Sequence, residues 1–403
     1  MFALGLGSLF RAILELNVEA QVRAMICAVA LLLLPISAHA DEVTELPGLS
    51  RLPLQLTAIG PDGHGKTLEA LVVRPSGPGP YPLVLITHGL PRGSADIPLQ
   101  RPEIYSGPAI VFAQRGYAAV IVMRSGYGQS AGPFIEGIGP CAVRTYTEPG
   151  NAAAADVLAA LAVLRKEPWV DTARVLLVGH SMGGFAVLAA SATNPPGVLG
   201  IISFAGAVGS PWPDYVCQPD RLIEADRTFG QTARIPSLWI FAENDHFFDP
   251  GLARAMFDAY IANGAPASLF EAPPFGHDGH TLIWAPDGTA WWPRVATFLN
   301  SLHSPTDIQV PLPAPVHLAE PVPLDAAGHA AFATYLRSRS YEKAFATDAF
   351  GHYGVAFGAR TKTDAESAAL KDCQRMERVC AIYAIGNELA VEGQTSPSHP
   401  IPL

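Results

Sequence analysis

Short, wholly apolar runs separated by longer segments of helical period dominate this chain from Leu83 onward. Leu83–Ile86 and Ala118–Met123 contain no polar side chain. That is the pattern of strands buried on both faces of a sheet, not the alternation of a half-exposed strand. Asn151–Lys166, rich in Ala and Leu and closed before Pro168, predicts a helix. The strand Val175–Val178, the helix Gly183–Thr193 and the strand Leu199–Phe204 follow. Next come the strand Ser237–Phe241, the helix Pro250–Asn263, the short strand Ser268–Glu271 and a closing helix Thr289–Leu302. Ahead of these, Leu54–Ile59 and Leu68–Val73 predict an antiparallel hairpin turned at Gly60–Gly63. Regular alternation of strand and helix implies an α/β chain whose mostly parallel central sheet is flanked by helices.

The pattern changes after Leu302. Residues 303–325 are rich in Pro with little periodicity and predict an extended linker. Residues 326–403 predict a small α+β module with a helix over Asp364–Met376 and a strand over Val379–Ile385. The main α/β domain is then 41–302. Residues 1–40 fit an export signal: Arg23 supplies the positive flank, Ile26–Ile36 the apolar segment, and Ala38-His39-Ala40 a small-x-small cleavage site. The apolar segment is about 11 residues, short of the roughly 20 that span a bilayer, so no transmembrane anchor is expected. Cys27 precedes the apolar run, which does not fit a lipoprotein anchor. Residues 1–24 read as an upstream extension of the signal. The expectation is a periplasmic or secreted protein cleaved after Ala40; the alternative is a buried N-terminal helix.

Composition narrows the partners. The chain is 49% hydrophobic and 15% charged, with a net charge of −10. An acidic chain with scattered Lys and Arg argues against nucleic acid and against anionic membrane surfaces as partners. Export would leave four of the five cysteines, an even set suited to an oxidising compartment. Cys373 and Cys380 lie together near the end, so the economical pairing is Cys141–Cys217 and Cys373–Cys380. Seven residues of continuous helix would separate Cys373 and Cys380 by about 10.5 Å, beyond the roughly 7 Å reach of a disulfide. A bridge there requires the helix to end between them. Four unpaired thiols are the alternative.

The informative chemistry sits at Gly179-His180-Ser181-Met182-Gly183, between a predicted strand and a predicted helix. A nucleophile on a tight strand-to-helix turn stands above the sheet edge, and Gly at the flanking positions lets strand and helix approach closely. The helix that follows offers its N-terminal amides to a developing oxyanion. The pentapeptide alone recurs by chance as an ordinary turn; the strand before it and the helix after it give it weight. Gly126–Gly132 also follows a strand, but no clear helix start receives a pyrophosphate after it, so it reads as a glycine-rich loop beside the site, not a nucleotide loop.

These residues, with His88-Gly89 after one strand, Ala242–Asp245 after another and Pro274–His280 near the end of the main domain, resemble the α/β-hydrolase superfamily. Within it the likeness is to dienelactone-hydrolase-type and related exported esterases. The order Ser, acid, His is the superfamily's order. Dienelactone hydrolases proper use a cysteine nucleophile, and this chain has Ser181. The resemblance implies an α/β-hydrolase fold and a triad of Ser181, Asp245 and His280, with His277 as the alternative base. Glu243 and Asp249 are rival acids, while His180 and His246 read as structural neighbours. Oxyanion donors would be the backbone amides of Leu90 and Met182, with His88, Gly89, Gly179 and Gly183 shaping the elbow and pocket. A metal site at His277, Asp278 and His280 lacks a further ligand at suitable spacing. The C-terminal residues resemble a small secreted accessory module, a compact unit stapled by Cys373–Cys380.

The function this implies is hydrolysis of a small-molecule carboxylic ester through an acyl-enzyme, with no cofactor and no metal. Two alternatives stand beside it: amide or peptide cleavage in the manner of prolyl-peptidase relatives, and an inactive binding protein on a hydrolase scaffold. The oligomeric state is not legible in the sequence.

Overall fold

The computed structural model describes residues 44–60, 63–374 and 379–390. The proposed export signal and Cys27 lie outside them. The main sheet has eight strands: β1 (Leu49–Ile59), β2 (Gly65–Pro75), β3 (Tyr81–Thr87), β4 (Ala118–Val122), β5 (Val170–His180), β6 (Val198–Phe204), β7 (Ser237–Ala242) and β8 (Ala267–Ala272). Their spatial order is β1-β2-β4-β3-β5-β6-β7-β8. The β1–β2 hairpin and the β2–β4 pair are antiparallel, and every later pairing is parallel.

The apolar runs form strands because both of their faces are covered. Leu83, Leu85, Val175 and Leu177 point into one core, whereas Val84, Ile86, Leu176 and Val178 point into the other. Helices α1 (Ser106–Ala113) and α6 (Trp292–Ser301) cover the second face. The first is covered by α2 (Thr147–Leu164), α3 (Met182–Ser191), α4 (Pro219–Thr232) and α5 (Pro250–Ile261). With polar-to-apolar alternation suppressed on both sides, the sequence shows unbroken hydrophobic runs. Two helices of the main domain are absent from the sequence expectation. α1 is apolar almost all round and short, so it lacks an amphipathic period, whereas α4 has such a period and follows a left-handed Gln218.

The C-terminal segment contains α7 (Ala326–Arg337), β9 (Ala344–Thr347), β10 (Tyr353–Ala356), α8 (Lys362–Cys373), β11 (Ala381–Ile385) and β12 (Glu388–Leu389). Its antiparallel sheet runs β10-β9-β11-β12. Cys373 ends α8 and is bonded to Cys380 just before β11, with Cα atoms 6.2 Å apart. The helix stops between the two cysteines, as the reach of a disulfide demands. The proline-rich stretch is not solvent-borne throughout: Gln309 and Val310 donate to the Gln114 carbonyl, and Val310 and Leu312 pack on the main core.

Buried charge ties the C-terminal segment to the first strands. Glu342 accepts from the Arg51 guanidinium at 2.5 Å and from the Thr44 amide and hydroxyl at 2.9 and 2.8 Å. Arg51 also lies over the Tyr341 ring. Arg360 pairs with Glu69 on β2. Removing one partner of such a buried pair leaves the other charge without compensation. Glu342→Ala should therefore lower the unfolding free energy by about 3 kcal/mol, read as a fall in the urea midpoint at unchanged slope.

Candidate active site

Ser181 stands at the end of β5, where the chain turns directly into α3. Its backbone has φ 55° and ψ −124°, a conformation that a non-glycine residue holds only when its surroundings enforce it. Two close approaches do so. A Cβ on Gly179 would come within 2.0 Å of the Gly183 carbonyl oxygen, and a Cβ on Gly183 within 2.4 Å of the Thr87 carbonyl oxygen. Only glycine permits α3 to cross the ends of β5 and β3 at this distance. The Ser181 amide donates to the Phe204 carbonyl at 2.9 Å, and its own carbonyl accepts the first helical bond from Phe185.

Asp245 lies just beyond β7 and His280 in the loop after β8. His280 Nδ1 and Asp245 Oδ2 are 3.0 Å apart, and both side chains are buried. The other Asp245 oxygen accepts from the Phe247 and Phe248 amides at 2.7 and 3.0 Å. A carboxylate so placed keeps the imidazole proton on Nδ1 and leaves Nε2 as the basic atom. Asp278 fixes the loop by accepting the His246 and His280 amides at 3.0 and 2.9 Å. Phe247 stacks on the His280 ring at 3.9 Å. His277 is exposed, and no described hydrogen bond joins it to Asp245. Glu243 is also exposed, and Asp249 caps the start of α5. Among the described residues the Ser181 hydroxyl makes no hydrogen bond to His280.

His180 is not a bystander. Its Nε2 faces the His280 carbonyl at 2.9 Å and must carry the proton, so its Nδ1 accepts from the Tyr105 hydroxyl at 3.0 Å. That hydroxyl in turn accepts the Gly89 amide at 3.0 Å. One chain of hydrogen bonds thus runs from the first strand loop to the backbone of His280. His88 has the opposite tautomer: Nδ1 donates to the Gly89 carbonyl, while Nε2 accepts from the Arg124 amide. Burial, reinforced by Arg124 beside one ring and His280 beside the other, pushes both histidines well below the usual imidazole range. Beneath His88 the fully buried Arg124 donates to Thr87 Oγ1 and the His88 carbonyl, and pairs with Glu136. Tyr127 completes the layer by donating to Glu136. The Gly126–Gly132 loop, expected beside the site, lies under His88 through Tyr127 and does not line the cavity.

Gly89 reaches within 3.1 Å of Ser181 Cβ, counted from where its own Cβ would stand. The amides of Leu90 and Met182 have no described protein acceptor; the second is free because it opens α3. A cavity of about 110 Å³ opens onto Ser181. Its walls come from Leu90–Arg92, from Ile138 and Arg144, from Val208–Pro211 and from Phe247–Phe248. Cys141 and Cys217 are bonded, with Cα atoms 5.2 Å apart, and so join two wall-forming loops. Of the residues expected from the sequence, the structure pairs Asp245 with His280 and sets Ser181 at the strand-to-helix turn; no sequence pattern pointed to Tyr105, Arg92, Arg124 and Glu136. Tyr105, Arg92 and Arg124 meet partners distant in the chain, and Glu136 meets Arg124 and Tyr127 across an irregular loop, which no local motif encodes.

Among the described residues no group of three or more His, Cys, Asp or Glu could hold a metal ion, and no helix is long and apolar enough to cross a membrane.

Strand order, elbow and the placement of acid and histidine after β7 and β8 define an α/β-hydrolase-fold chain. Residues 62–235 match the model of the X-Pro dipeptidyl-peptidase (S15) family, less than half of the chain. No curated protein matches the sequence. Similar solved structures include a predicted CIB-like hydrolase from Thermoplasma acidophilum, 18% identical, with TM-score 0.43 over 63% of this chain and 100% of its own. Another is a protein described as a dienelactone hydrolase from Klebsiella pneumoniae subsp. pneumoniae, 17% identical, with TM-score 0.41 over 62% of this chain and 99% of its own. An acylaminoacyl peptidase from Pyrococcus horikoshii is 15% identical, with TM-score 0.45 over 64% of this chain and 42% of its own.

The neutral histidines set an acid limit. With the folded pKa depressed below the unfolded value of about 6.5, the unfolded chain binds more protons as pH falls, so stability declines. The limiting slope is about 1.4 kcal/mol per pH unit for each histidine. Urea unfolding from pH 7.5 to 5 should show this loss. His180→Asn should reduce the slope by one histidine's share, and an identical slope in that variant would contradict the assignment.

Proposed function

We propose that this chain is a serine hydrolase that cleaves carboxylic esters, with Ser181 as nucleophile, His280 as base and Asp245 as the residue that orients it. The observation that carries this reading is the coincidence of a strained, helix-capping Ser181 with the buried Asp245–His280 pair. In the first half-reaction His280 Nε2 takes the Ser181 proton as Oγ attacks the ester carbonyl. The oxyanion then forms against the Leu90 and Met182 amides, where each donor is worth about 3 kcal/mol of barrier. Collapse expels the alcohol, which receives its proton from His280, and leaves an acyl-serine. Water attacks next by the reverse use of His280, releasing the acid. No cofactor or metal enters this sequence.

Ester rather than peptide cleavage is favoured by the cavity walls. Among the described residues they carry two arginines and no carboxylate that would receive the ammonium of a peptide N-terminus. The S15 match keeps dipeptide release as the second reading. We further read residues 1–40 as a cleaved signal, 41–302 as the catalytic domain, 303–325 as the connection and 326–403 as an accessory module without chemistry of its own. Both disulfides fit an oxidising, periplasmic or extracellular setting.

A fluorophosphonate should label the protein at Ser181, located by peptide mapping, and an adduct elsewhere or none would refute the reading. His280→Ala should lower kcat/KM on a short 4-nitrophenyl ester by at least about 10⁴-fold, whereas His277→Ala should stay within a fewfold of the parent. Comparison with an X-Pro dipeptide 4-nitroanilide separates ester from peptide cleavage.

A further inference from the structure

Two guanidinium groups, the exposed Arg92 and the half-buried Arg144, line the candidate nucleophile's cavity with no direct ion pair among the described residues. Arg92 follows the Leu90 loop, and Arg144 lies in the loop held by the Cys141–Cys217 bond. Arg92 lies flat over Phe247, its central carbon 3.4 Å from the ring centroid, and Phe247 is itself stacked on His280. Its Nε donates to the Ser210 carbonyl at 3.3 Å, and Nη2 to Ser210 Oγ and the His246 carbonyl, both at 3.1 Å. Arg144 donates from Nε to the Gly139 carbonyl at 3.3 Å and from Nη1 to the Gly209 carbonyl at 2.9 Å.

These acceptors are neutral: they orient a guanidinium and do not cancel its charge. Arg51, Arg124, Arg174, Arg254 and Arg360 meet carboxylates, whereas Arg74, Arg101, Arg115 and Arg234, like Arg92 and Arg144, donate to neutral acceptors. What distinguishes Arg92 and Arg144 is that both line the cavity over Ser181. Among the described residues neither Arg92 nor Arg144 has a carboxylate within ion-pair distance. The carboxylates nearest in effect to Arg92 are Asp278, Asp245 and Asp214. They are engaged with backbone amides, His280 and His246. Nη1 of Arg92 has no described partner, and Arg144 also lies against the Tyr146 hydroxyl. Two like charges in one small cavity, each held by neutral acceptors, are the arrangement that recognises an anion.

We propose that Arg92 and Arg144 are specificity-determining residues that select esters carrying a carboxylate near the scissile bond, such as half-esters of dicarboxylic acids. This rests on the ester-hydrolysis reading of Ser181. The same charges repel the free ammonium of an aminopeptidase substrate. The disulfide has a part as well: Cys217 donates its amide to the Gly209 carbonyl, the atom that also receives Arg144. The bond therefore holds Arg144 and its acceptor in one frame.

The test uses matched pairs. Mono-4-nitrophenyl glutarate against its methyl-capped neutral form places the carboxylate on the acyl side. 4-Acetoxybenzoate against its methyl ester places it on the alcohol side. The parent enzyme should prefer the anionic member of one pair by at least about tenfold in kcat/KM, the scale of a charge-assisted contact. That ratio should collapse toward unity in Arg92→Met and in Arg144→Met, and fall with added salt. Equal turnover of both members of both pairs would overturn the proposal, as would an undiminished ratio in the two variants. Arg144→Met is independent of the Ser210 and His246 contacts of Arg92, so misfolding of one variant leaves the other decisive. Calorimetric binding of the two anionic esters to Ser181→Ala separates the two readings. Binding that weakens in the added Arg92→Met or Arg144→Met substitution supports the anion site even if no ester is turned over. Absence of binding by both esters sinks it.

Discussion

The close crossing of α3 over the ends of β5 and β3 is the constraint around which the site is arranged. It is a contact of backbone on backbone: Gly179 faces the Gly183 carbonyl, and Gly183 faces the Thr87 and His88 carbonyls. Side chains larger than hydrogen would move the helix outward by ångströms. Ser181 would then lose the positive φ that lifts it above the sheet, and the Met182 amide would no longer stand beside it. The parallel sheet supplies the other half of this constraint. Leu83–Ile86 and Val175–Val178 lie side by side in register, so the His88 loop and the Ser181 turn leave the sheet at the same level.

Around that crossing the protein uses neutral histidines where charge would be disruptive. His180 and His88 adopt opposite tautomers because their partners differ: a carbonyl meets Nε2 in one, and an amide meets Nε2 in the other. Each hydrogen bond fixes the next, so the position of the Gly89 loop is coupled through Tyr105 to the backbone of His280. Of the three buried imidazoles His88, His180 and His280, the one hydrogen-bonded to a carboxylate is His280, through Asp245, and its Nε2 has no described partner. The layout separates rings that hold geometry from the ring that can move a proton.

Much of this was readable in the residues themselves. Strands buried on both faces announce themselves as unbroken apolar runs, and the elbow as glycines between strand and helix. The acid and histidine follow from the order of strands. Tyr105 gives no such sign, because its role depends on Gly89 and His180, which reach it only after folding. The Arg124–Glu136 layer is hidden for the same reason: a charged residue after a strand looks like a loop residue until the fold buries it. The sequence resemblance favours His280 with His277 as the alternative, and in the fold His277 is exposed while His280 is stacked against Phe247. The proline-rich stretch misleads in part, since irregular backbone can still pack its side chains, as Val310 and Leu312 do.

The bond between Cys141 and Cys217 closes across 76 positions of chain, an interval that contains α2, β5, Ser181, α3 and β6. During synthesis Cys141 emerges well before its partner, and the strand–helix–strand core must be made in the meantime. The two sulfurs meet as neighbours once β5 and β6 are paired and the loops above them are in place. In the folded protein the bond therefore spans a complete βαβ unit, and a wrong pairing of Cys141 would hold apart the strands on either side of Ser181.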